Sequence, residues 1–218
     1  VLSQIVASTL DVDLGTVRTV RGQTDRFSYG RGAFATRQSV VAGSATLRAA
    51  EAVVAKALKV AAETLEIDQD DLELVDGAVR VVGSPETKLP LGQIAKLLEP
   101  GNAERLGMTP GLTADGWFHT QHMTYPYGVH VAVVRIEPGT GLPVIEKYFV
   151  GFDVGRALNH KLVEGQLAGG VAQGIGGAIL EEFTYTEDGQ PQASTFMDYL
   201  MPTSAEMPEL YLLVTEDA

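Results

Sequence analysis

The residues that could do chemistry begin with a glycine-rich segment, LVEGQLAGGVAQGIGGAILEEFTY, at positions 162–185. Six glycines fall between Gly165 and Gly177, although a glycine inside a helix costs roughly 1 kcal/mol relative to alanine. The segment has neither a dinucleotide-binding GxGxxG pattern nor a phosphate-binding loop with its lysine. On helical spacing, one face collects five small residues: Gly165, Ala168, Gly169, Ala172 and Gly176.

Gln173 is the polar group of this helix. It is the only polar side chain between Gln166 and Glu181, and its amide can both donate to and accept from the edge of a heteroaromatic ring. A face of small residues lets a flat ligand or a second backbone approach closely. The pattern therefore leaves two interpretations open, a surface for a planar cofactor or close packing against another element.

A second candidate is the loop SYGRGAFATRQS, residues 28–39, which precedes a long predicted helix. Hydroxyl groups, arginine and exposed backbone amides before a helix suit an anionic group, because the amides donate hydrogen bonds and the helix dipole favours negative charge. An ordinary loop with helix-capping residues is the alternative.

The pattern of histidines and acidic residues predicts no metal held by protein side chains. His119 and His122 lie three residues apart in an extended segment, so their side chains do not converge, and no HExxH pair occurs. Glu181 and Glu182 fit the end of a helix better than an acid–base pair. The chain has no cysteine, which excludes disulfides and thiolate or iron–sulfur ligation within it.

Composition narrows the classes of partner. The formal net charge is −12, from 28 acidic and 16 basic residues, and such a balance disfavours nucleic acid. There is no uninterrupted run of eighteen apolar residues and no secretory signal pattern. We therefore expect no membrane span and a cytoplasmic location.

Hydrophobic periodicity and turn residues predict an α+β fold with mixed sheets and packed helices. The clearest helix covers 40–66, with an apolar stripe of Leu47, Val54, Leu58 and Leu65. The other predicted elements are helical spacing over 1–10, a strand at 16–20, a hairpin over 72–82 that turns at Asp76-Gly77, a short helix that ends at Pro100-Gly101, two long strands within 128–155, the glycine-rich helix, a strand pair around 187–189 and a final strand from Glu209. The helix at the start lacks a cap, and the last strand runs to the end, so we expect a fragment of a longer polypeptide.

These elements, in this order, resemble the molybdopterin-binding large subunit of the xanthine dehydrogenase/aldehyde oxidase/carbon monoxide dehydrogenase family. The resemblance runs through essentially the whole chain, and the block VEGQLAGGVAQGIGGAILEE is its most specific part. It rests on four blocks: TDRFSYGRGAFATRQSVVAGSA, YPYGVHVAVVRIEPGTG, FDVGRALNHKLVEGQLAGGVAQGIGGAILEE and STFMDYLMPTSAEMP. One departure is Asn159-His160, where the family more often has Asn-Pro, and we expect it to weaken a local turn.

The resemblance implies a buried molybdenum–molybdopterin cofactor, in its cytosine dinucleotide form, beside the glycine-rich helix. It makes residues 1–218 a fragment of the molybdopterin-binding domain, divided into lobes 1–110 and 111–218. Gln173 matches the family's pterin-contacting glutamine, and Gly169 belongs to the small-residue face next to the pterin. The cofactor-binding loop of the family matches Ala35, Thr36, Arg37, Gln38 and Ser39.

The implied activity is that of a molybdenum hydroxylase, an oxidoreductase that inserts oxygen from water into a small substrate such as an aldehyde, an N-heterocycle, a purine or carbon monoxide. Electrons would pass to 2Fe-2S clusters and FAD on partner domains or subunits. A cofactor-contacting GQGxxT segment is expected upstream of Val1, and the general-base glutamate, in a GxGE-type motif, beyond Ala218. We therefore expect the 218 residues alone to be inactive. The alternative is a non-catalytic folded fragment or interaction module without metal.

Overall fold

The structure is a computed structural model that describes residues 1–26 and 29–217. It divides into two compact units, Val1–Thr124 and Tyr125–Ala218. Helices combine with one antiparallel and one mixed three-stranded sheet, which confirms the predicted α+β class. Among the described residues, no helix has both the length and the apolar character needed to cross a bilayer.

The first unit packs a long helix against a small antiparallel sheet in the order β1-β2-β3. Its core is formed by alanines and branched aliphatic side chains from the helices and the sheet, among which Val60, Val79 and Ile94 are fully buried. The elements are α1 (Leu2–Leu10), α2 (Gly43–Leu65), β1 (Leu72–Val75), β2 (Ala78–Val81), β3 (Ser84–Pro90), α3 (Leu91–Leu97) and α4 (Pro100–Arg105), with a π-helical segment, Gln38–Ala42, directly before α2.

The buried stripe of α2 differs from the predicted one. The helix itself is confirmed, but its buried positions are Gly43, Ala50, Ala57, Val60 and Ala61. Leu47 is 40% exposed, whereas Leu58 and Leu65 pack at the margin of the core. At Gly43 the burial comes from α1, which lies close to the backbone of α2. Cδ1 of Ile5 is 3.3 Å from the position that a Cβ on Gly43 would occupy.

A segment located after α4 in the chain also crosses α2 at close range. Arg48 Nη1 donates a hydrogen bond to the carbonyl oxygen of Trp117 at 2.8 Å. A Cβ on Gly116 would lie 2.0 Å from the carbonyl oxygen of Ala45, far inside van der Waals contact. Only glycine permits the two backbones to pass so closely.

The predicted hairpin turn and the predicted helix end at Pro100 have different outcomes in the structure. The hairpin is confirmed, because β1 and β2 pair across Asp76 and Gly77, whose φ angles of 50° and 67° are those of a tight hairpin turn. Pro100, predicted to end a helix, instead opens α4 as one of its first residues, a position where its missing N–H costs nothing.

The strand predicted at 16–20 is wrong. Leu14–Thr16 forms a single 3₁₀ turn, and residues 17–20 have no regular structure. The Asp13 carboxylate accepts the N–H of Gly15 at 2.6 Å, and the hydroxyl of Thr16 donates to the Asp13 carbonyl at 2.7 Å. Local side-chain hydrogen bonds therefore turn the chain here, in competition with an extended conformation.

The second unit is one helix on a three-stranded sheet in the order β4-β5-β6. β4 and β5 pair antiparallel, which confirms the two predicted long strands, and β6 pairs with β5 in parallel. The elements are β4 (Tyr127–Ile136), β5 (Pro143–Asp153), α5 (His160–Ile175) and β6 (Glu209–Thr215), with a second π-helical segment, Gly176–Leu180, directly after α5.

Side-chain contacts hold the turn before α5. The side chain of Asn159 caps α5 by accepting the N–H of Leu162 at 3.1 Å. His160 Nε2 lies 2.9 Å from Glu216 Oε1, and the other oxygen of that carboxylate accepts the N–H of Ala157 at 2.8 Å.

The strand pair predicted around residues 187–189 is reduced to one bridge, Tyr185 with Pro191. The predicted turn is present, with Gly189 at a φ of 84°. Pro191 has no N–H to extend a ladder, and the hydroxyl of Thr186 accepts the N–H of Gln190 at 3.1 Å. Two backbone hydrogen bonds, from the N–H of Thr186 to the carbonyl of Gln190 and from the N–H of Gln192 to the carbonyl of Thr184, both at 2.9 Å, close this turn without a longer ladder.

Candidate functional site

The loop that was predicted to bind the cofactor has an unusual backbone. Ala35 and Thr36 both have left-handed conformations, with φ of 47° and 62°. This conformation costs a non-glycine residue roughly 1–2 kcal/mol, and strain of this kind concentrates at functional sites. Nothing in an Ala-Thr pair indicates it from sequence. Ser28, the first residue of the predicted loop, lies outside the described residues.

The side chain of Arg37 contacts two residues of its own loop. Its Nη1 donates a hydrogen bond to the carbonyl oxygen of Gly32 at 2.9 Å, and its guanidinium carbon lies 5.1 Å from the centroid of the Phe34 ring, within cation–π range. Residues 34–36 and Gln38 are exposed, whereas Arg37 and Ser39 are half-buried. Sequence reasoning assigned Arg37 to an anion, but in this chain it contacts its own loop.

A π-helical turn links the loop to α2. The carbonyl oxygen of Thr36 accepts the N–H groups of both Ser39 and Val40 at 3.1 Å, and the segment Gln38–Ala42 continues into the helix. π-Helical segments are rare and often lie at functional sites. The five consecutive predicted site residues, Ala35 to Ser39, thus lie in one turn that continues into α2.

The glycine-rich helix α5 is held on one side only. Val171 and Ile175 are buried and form a cluster with Val150 of β5. Gly169 and Gln173 lie on the side away from the sheet, one turn apart, and both are exposed. The structure therefore places these two predicted site residues on one open face of the helix.

The glycines of α5 differ in what surrounds them. A Cβ on Gly165 or Gly169 would meet no atom of the described residues within 4 Å, so a close approach at Gly169 by a cofactor stays a prediction. A Cβ on Gly176 would lie 2.5 Å from Glu181 Oε1 and 2.9 Å from Pro202 Cδ. The chain itself fills the space at Gly176 and leaves it open at Gly169.

Glu181 is engaged rather than free to act as a base. Its carboxylate accepts a hydrogen bond from the hydroxyl of Tyr199 at 3.1 Å. This hydrogen bond, then partial desolvation and the negative charge of Glu181, raises the pKa of Tyr199 above its ordinary value. Sequence reasoning missed Tyr199 and Pro202 as neighbours of this helix, because nothing in the pattern brings residues so far apart in sequence together.

Asp153 is the buried acid of the second unit, with a residue exposure of 8%. Its carboxylate accepts the N–H of Gly155 at 2.8 Å and a hydrogen bond from Tyr127, which with the charge of Asp153 raises the pKa of Tyr127. These contacts fix the turn at the end of β5, where the carboxylate has a structural role.

The described residues offer no protein-ligated metal centre. Within 1–26 and 29–217, no group of three or more histidine, cysteine, aspartate or glutamate side chains is placed to hold a metal ion. A small open pocket of about 240 Å³ lies between the residues after α5 and the segment 192–200. Its lining includes Glu182, Thr184 and Asp198, and none of the predicted site residues belongs to it.

Comparison with known proteins shows the family of the chain. Residues 1–208 match the family described as molybdopterin cofactor-binding domain. The chain is 42% identical over 218 residues to the 6-hydroxypseudooxynicotine dehydrogenase complex subunit gamma of Paenarthrobacter nicotinovorans, covering 100% of this chain and 27% of that protein. It is 32% identical over 207 residues to the carbon monoxide dehydrogenase large chain of Afipia carboxidovorans, covering 95% and 25% respectively.

The fold is also similar to that of a solved structure. A crystal structure of the Cu,Mo-CO dehydrogenase in its carbon monoxide reduced state superimposes with a TM-score of 0.80 and 30% identity, covering 99% of this chain and 27% of that one. The chain thus spans about a quarter of the length of the relatives it matches. On the match over residues 1–208, the chain belongs to the molybdopterin cofactor-binding domain family.

Proposed function

We propose that this chain is part of the cofactor-binding region of a molybdenum hydroxylase, a molybdenum-dependent oxidoreductase. The observation that carries the proposal is the family match over residues 1–208. A molybdopterin-binding domain of two lobes is part of the proposal; the sequence put their boundary at 110/111, whereas the two compact units divide between Thr124 and Tyr125.

The residues present fit a flat, anionic cofactor by their chemistry. On α5, the open space beside Gly165 and Gly169 lets a planar group reach the helix backbone, and the exposed amide of Gln173 can donate to and accept from its edge. In the loop of the first unit, the hydroxyls of Thr36 and Ser39 and the side chain of Gln38 offer donors that suit an anionic group. The cofactor, when bound, would supply the oxygen-transfer and electron-accepting chemistry.

The chain's own residues would bind and orient the cofactor rather than move protons. We assign no catalytic base to this chain, because Glu181 is bonded to Tyr199 and Asp153 to the turn at Gly155. A carboxylate so engaged is poorly placed to accept a proton from a reacting group. The 218 residues alone are accordingly proposed to be inactive.

The cofactor form and the partners belong to the same proposal. We infer the cytosine dinucleotide form of the cofactor, the remainder of a large subunit, partners that carry 2Fe-2S clusters and FAD, and a cytoplasmic location. The substrate is proposed to be a small molecule, an aldehyde, an N-heterocycle, a purine or carbon monoxide. Of these substrates, carbon monoxide is the one that the name of a relative, the carbon monoxide dehydrogenase large chain, also mentions.

The test is cofactor content in the complete polypeptide that carries this segment. Gly169→Leu fills the open face of α5, and Gln173→Ala removes the amide, so both are expected to lower molybdenum and pterin per polypeptide. Asp70→Asn, on the 3₁₀ turn Gln69–Asp71 of the first unit, is the control and should load normally. Normal molybdenum content in a folded Gly169→Leu protein would remove α5 from the cofactor site and favour a non-catalytic module.

A further inference from the structure

The described contacts of Arg37 all lie within its own loop. It reaches back five residues to the carbonyl oxygen of Gly32 at 2.9 Å and covers the ring of Phe34 at 5.1 Å. The segment between these contacts holds Ala35 and Thr36, the two consecutive non-glycine residues in left-handed conformations. The side chain thus closes a ring of backbone around the strained pair.

The strained pair sets the conformation of the turn after it. The carbonyl oxygen of Thr36 accepts the N–H groups of Ser39 and Val40 at 3.1 Å, and its direction depends on the ψ angle of that residue. If the pair relaxes to an ordinary conformation, both acceptor contacts are lost and the start of the π-helical segment changes. Because L-residues avoid the left-handed region, the conformation persists only where other contacts enforce it.

We propose that Arg37 is a positioning residue: it clamps the loop Gly32–Arg37 so that Ala35 and Thr36 keep the left-handed conformation in which the loop binds the cofactor. This inference rests on the proposed function for the role of the loop, but the clamp itself is a property of the chain alone. The competing role is a direct contact between the guanidinium and an anionic group of the cofactor.

The first experiment measures amide hydrogen exchange in the 218-residue chain, without cofactor. Arg37→Gln removes the charged donor and the stacking, so exchange at Ser39 and Val40 should become about fivefold faster, the effect of losing one net hydrogen bond. The matched control is Arg18→Gln, which removes the same charge outside the loop and should leave both rates unchanged. Unchanged rates in Arg37→Gln would overturn the clamp.

The second experiment asks whether the backbone conformation is what Arg37 provides. Glycine adopts positive φ freely, so Ala35→Gly with Thr36→Gly, added to Arg37→Gln, should bring exchange at Ser39 and Val40 back to within about twofold of the parent. Arg37→Lys keeps the charge but lacks the planar fork, and should remain fast. Protection restored by lysine and not by the glycines would overturn the proposal.

The same variants in the complete polypeptide connect the clamp to the cofactor. Molybdenum content should fall in Arg37→Gln and stay low in Arg37→Lys, which keeps the charge but not the planar fork. Recovery of the molybdenum content with lysine would instead assign Arg37 to direct anion binding and overturn the proposal. Molybdenum content that stays normal in every variant while exchange changes as expected would confirm the clamp and contradict the role of this loop in the proposed function.

Discussion

The two units bury their apolar surface in different ways. In the first unit, side chains from α2, α3, β1 and β2 form one closed core, with Val60, Val79 and Ile94 fully buried. In the second, α5 covers one side of the sheet, and among the residues described up to 217 the buried apolar side chains of that contact are Val150, Val171 and Ile175. Every residue of β4 is exposed.

The sheet face opposite α5 in the second unit carries exposed apolar side chains. Val129 and Val131 are 67% and 51% exposed, and Leu213 on β6 is 64% exposed. From the pairing of β4 with β5 and of β5 with β6, these residues share the face opposite α5. The first unit thus resembles a self-contained domain core, whereas the second is stabilised by apolar packing on one side and by polar contacts at its turns.

The largest expected effect is at Gly116 in the first unit. In Gly116→Ala the new Cβ would overlap the backbone of α2, 2.0 Å from the Ala45 carbonyl oxygen, and a helix backbone cannot move aside as a side chain can. We expect the free energy of unfolding to fall by about 3 kcal/mol or more, measured by urea denaturation. Gly92→Ala, which meets nothing within 4 Å, is the control, and an equal effect of both changes would contradict the close crossing.

The comparison of the cores predicts unequal costs for the same truncation. Ile94→Ala in the first unit should lower the free energy of unfolding by about 3–4 kcal/mol, because the cavity it leaves is enclosed on all sides. Ile175→Ala in the second unit should cost about 2 kcal/mol, because its one-sided contact can relax. Calorimetry or denaturation of each variant gives both values. A larger cost at Ile175 would show that the second unit has the tighter core.

Within the second unit, two glycines of one helical stretch should respond in opposite directions. Gly176→Ala places a Cβ against Glu181 and Pro202, and we expect a loss of about 1–2 kcal/mol. Gly169→Ala meets open space and improves helix propensity, so the chain should gain up to about 1 kcal/mol. Thermal unfolding of both variants checks the pair. Destabilisation by Gly169→Ala would mean that its outer face is covered in this chain after all.

The smallest expected effect is the pH dependence of the Tyr199–Glu181 contact. The pKa of Tyr199 is raised by its hydrogen bond to Glu181, so its contribution to stability is present below the ordinary value of 10.0 and is lost as the pH rises through the higher folded value. A pH titration followed by tyrosinate absorbance should show one tyrosine that ionises at high pH in the parent protein and is absent from Tyr199→Phe. If Glu181→Gln leaves the titration of Tyr199 unchanged, the contact is not formed.

How much of this could be predicted differs between the two candidate site elements. The helix around Gly169 and Gln173 can be inferred from residue spacing alone, because helical periodicity is local. Which of its small residues face open space cannot, since Gly169 is open and Gly176 is filled by Glu181 and Pro202. The conformation of Ala35 and Thr36 cannot, since neither residue favours positive φ and the contacts that impose it come from Arg37. The strand expected at 16–20 failed for the same kind of reason, a side-chain hydrogen bond from a neighbouring residue.

The parallel pairing of β6 with β5 has a consequence for the order of folding. β4 and β5 are joined by a short turn, whereas β6 begins 56 residues after β5 ends, at Glu209 against Asp153. Closing so long a connection costs entropy before any contact is gained, so pairings of this kind form slowly. The hairpin and α5 are expected to assemble first and β6 to join last. Until β6 pairs, the edge of β5 that it will occupy is open to pairing with other chains. The rate at which β6 pairs therefore determines what fraction of the molecules folds before aggregating.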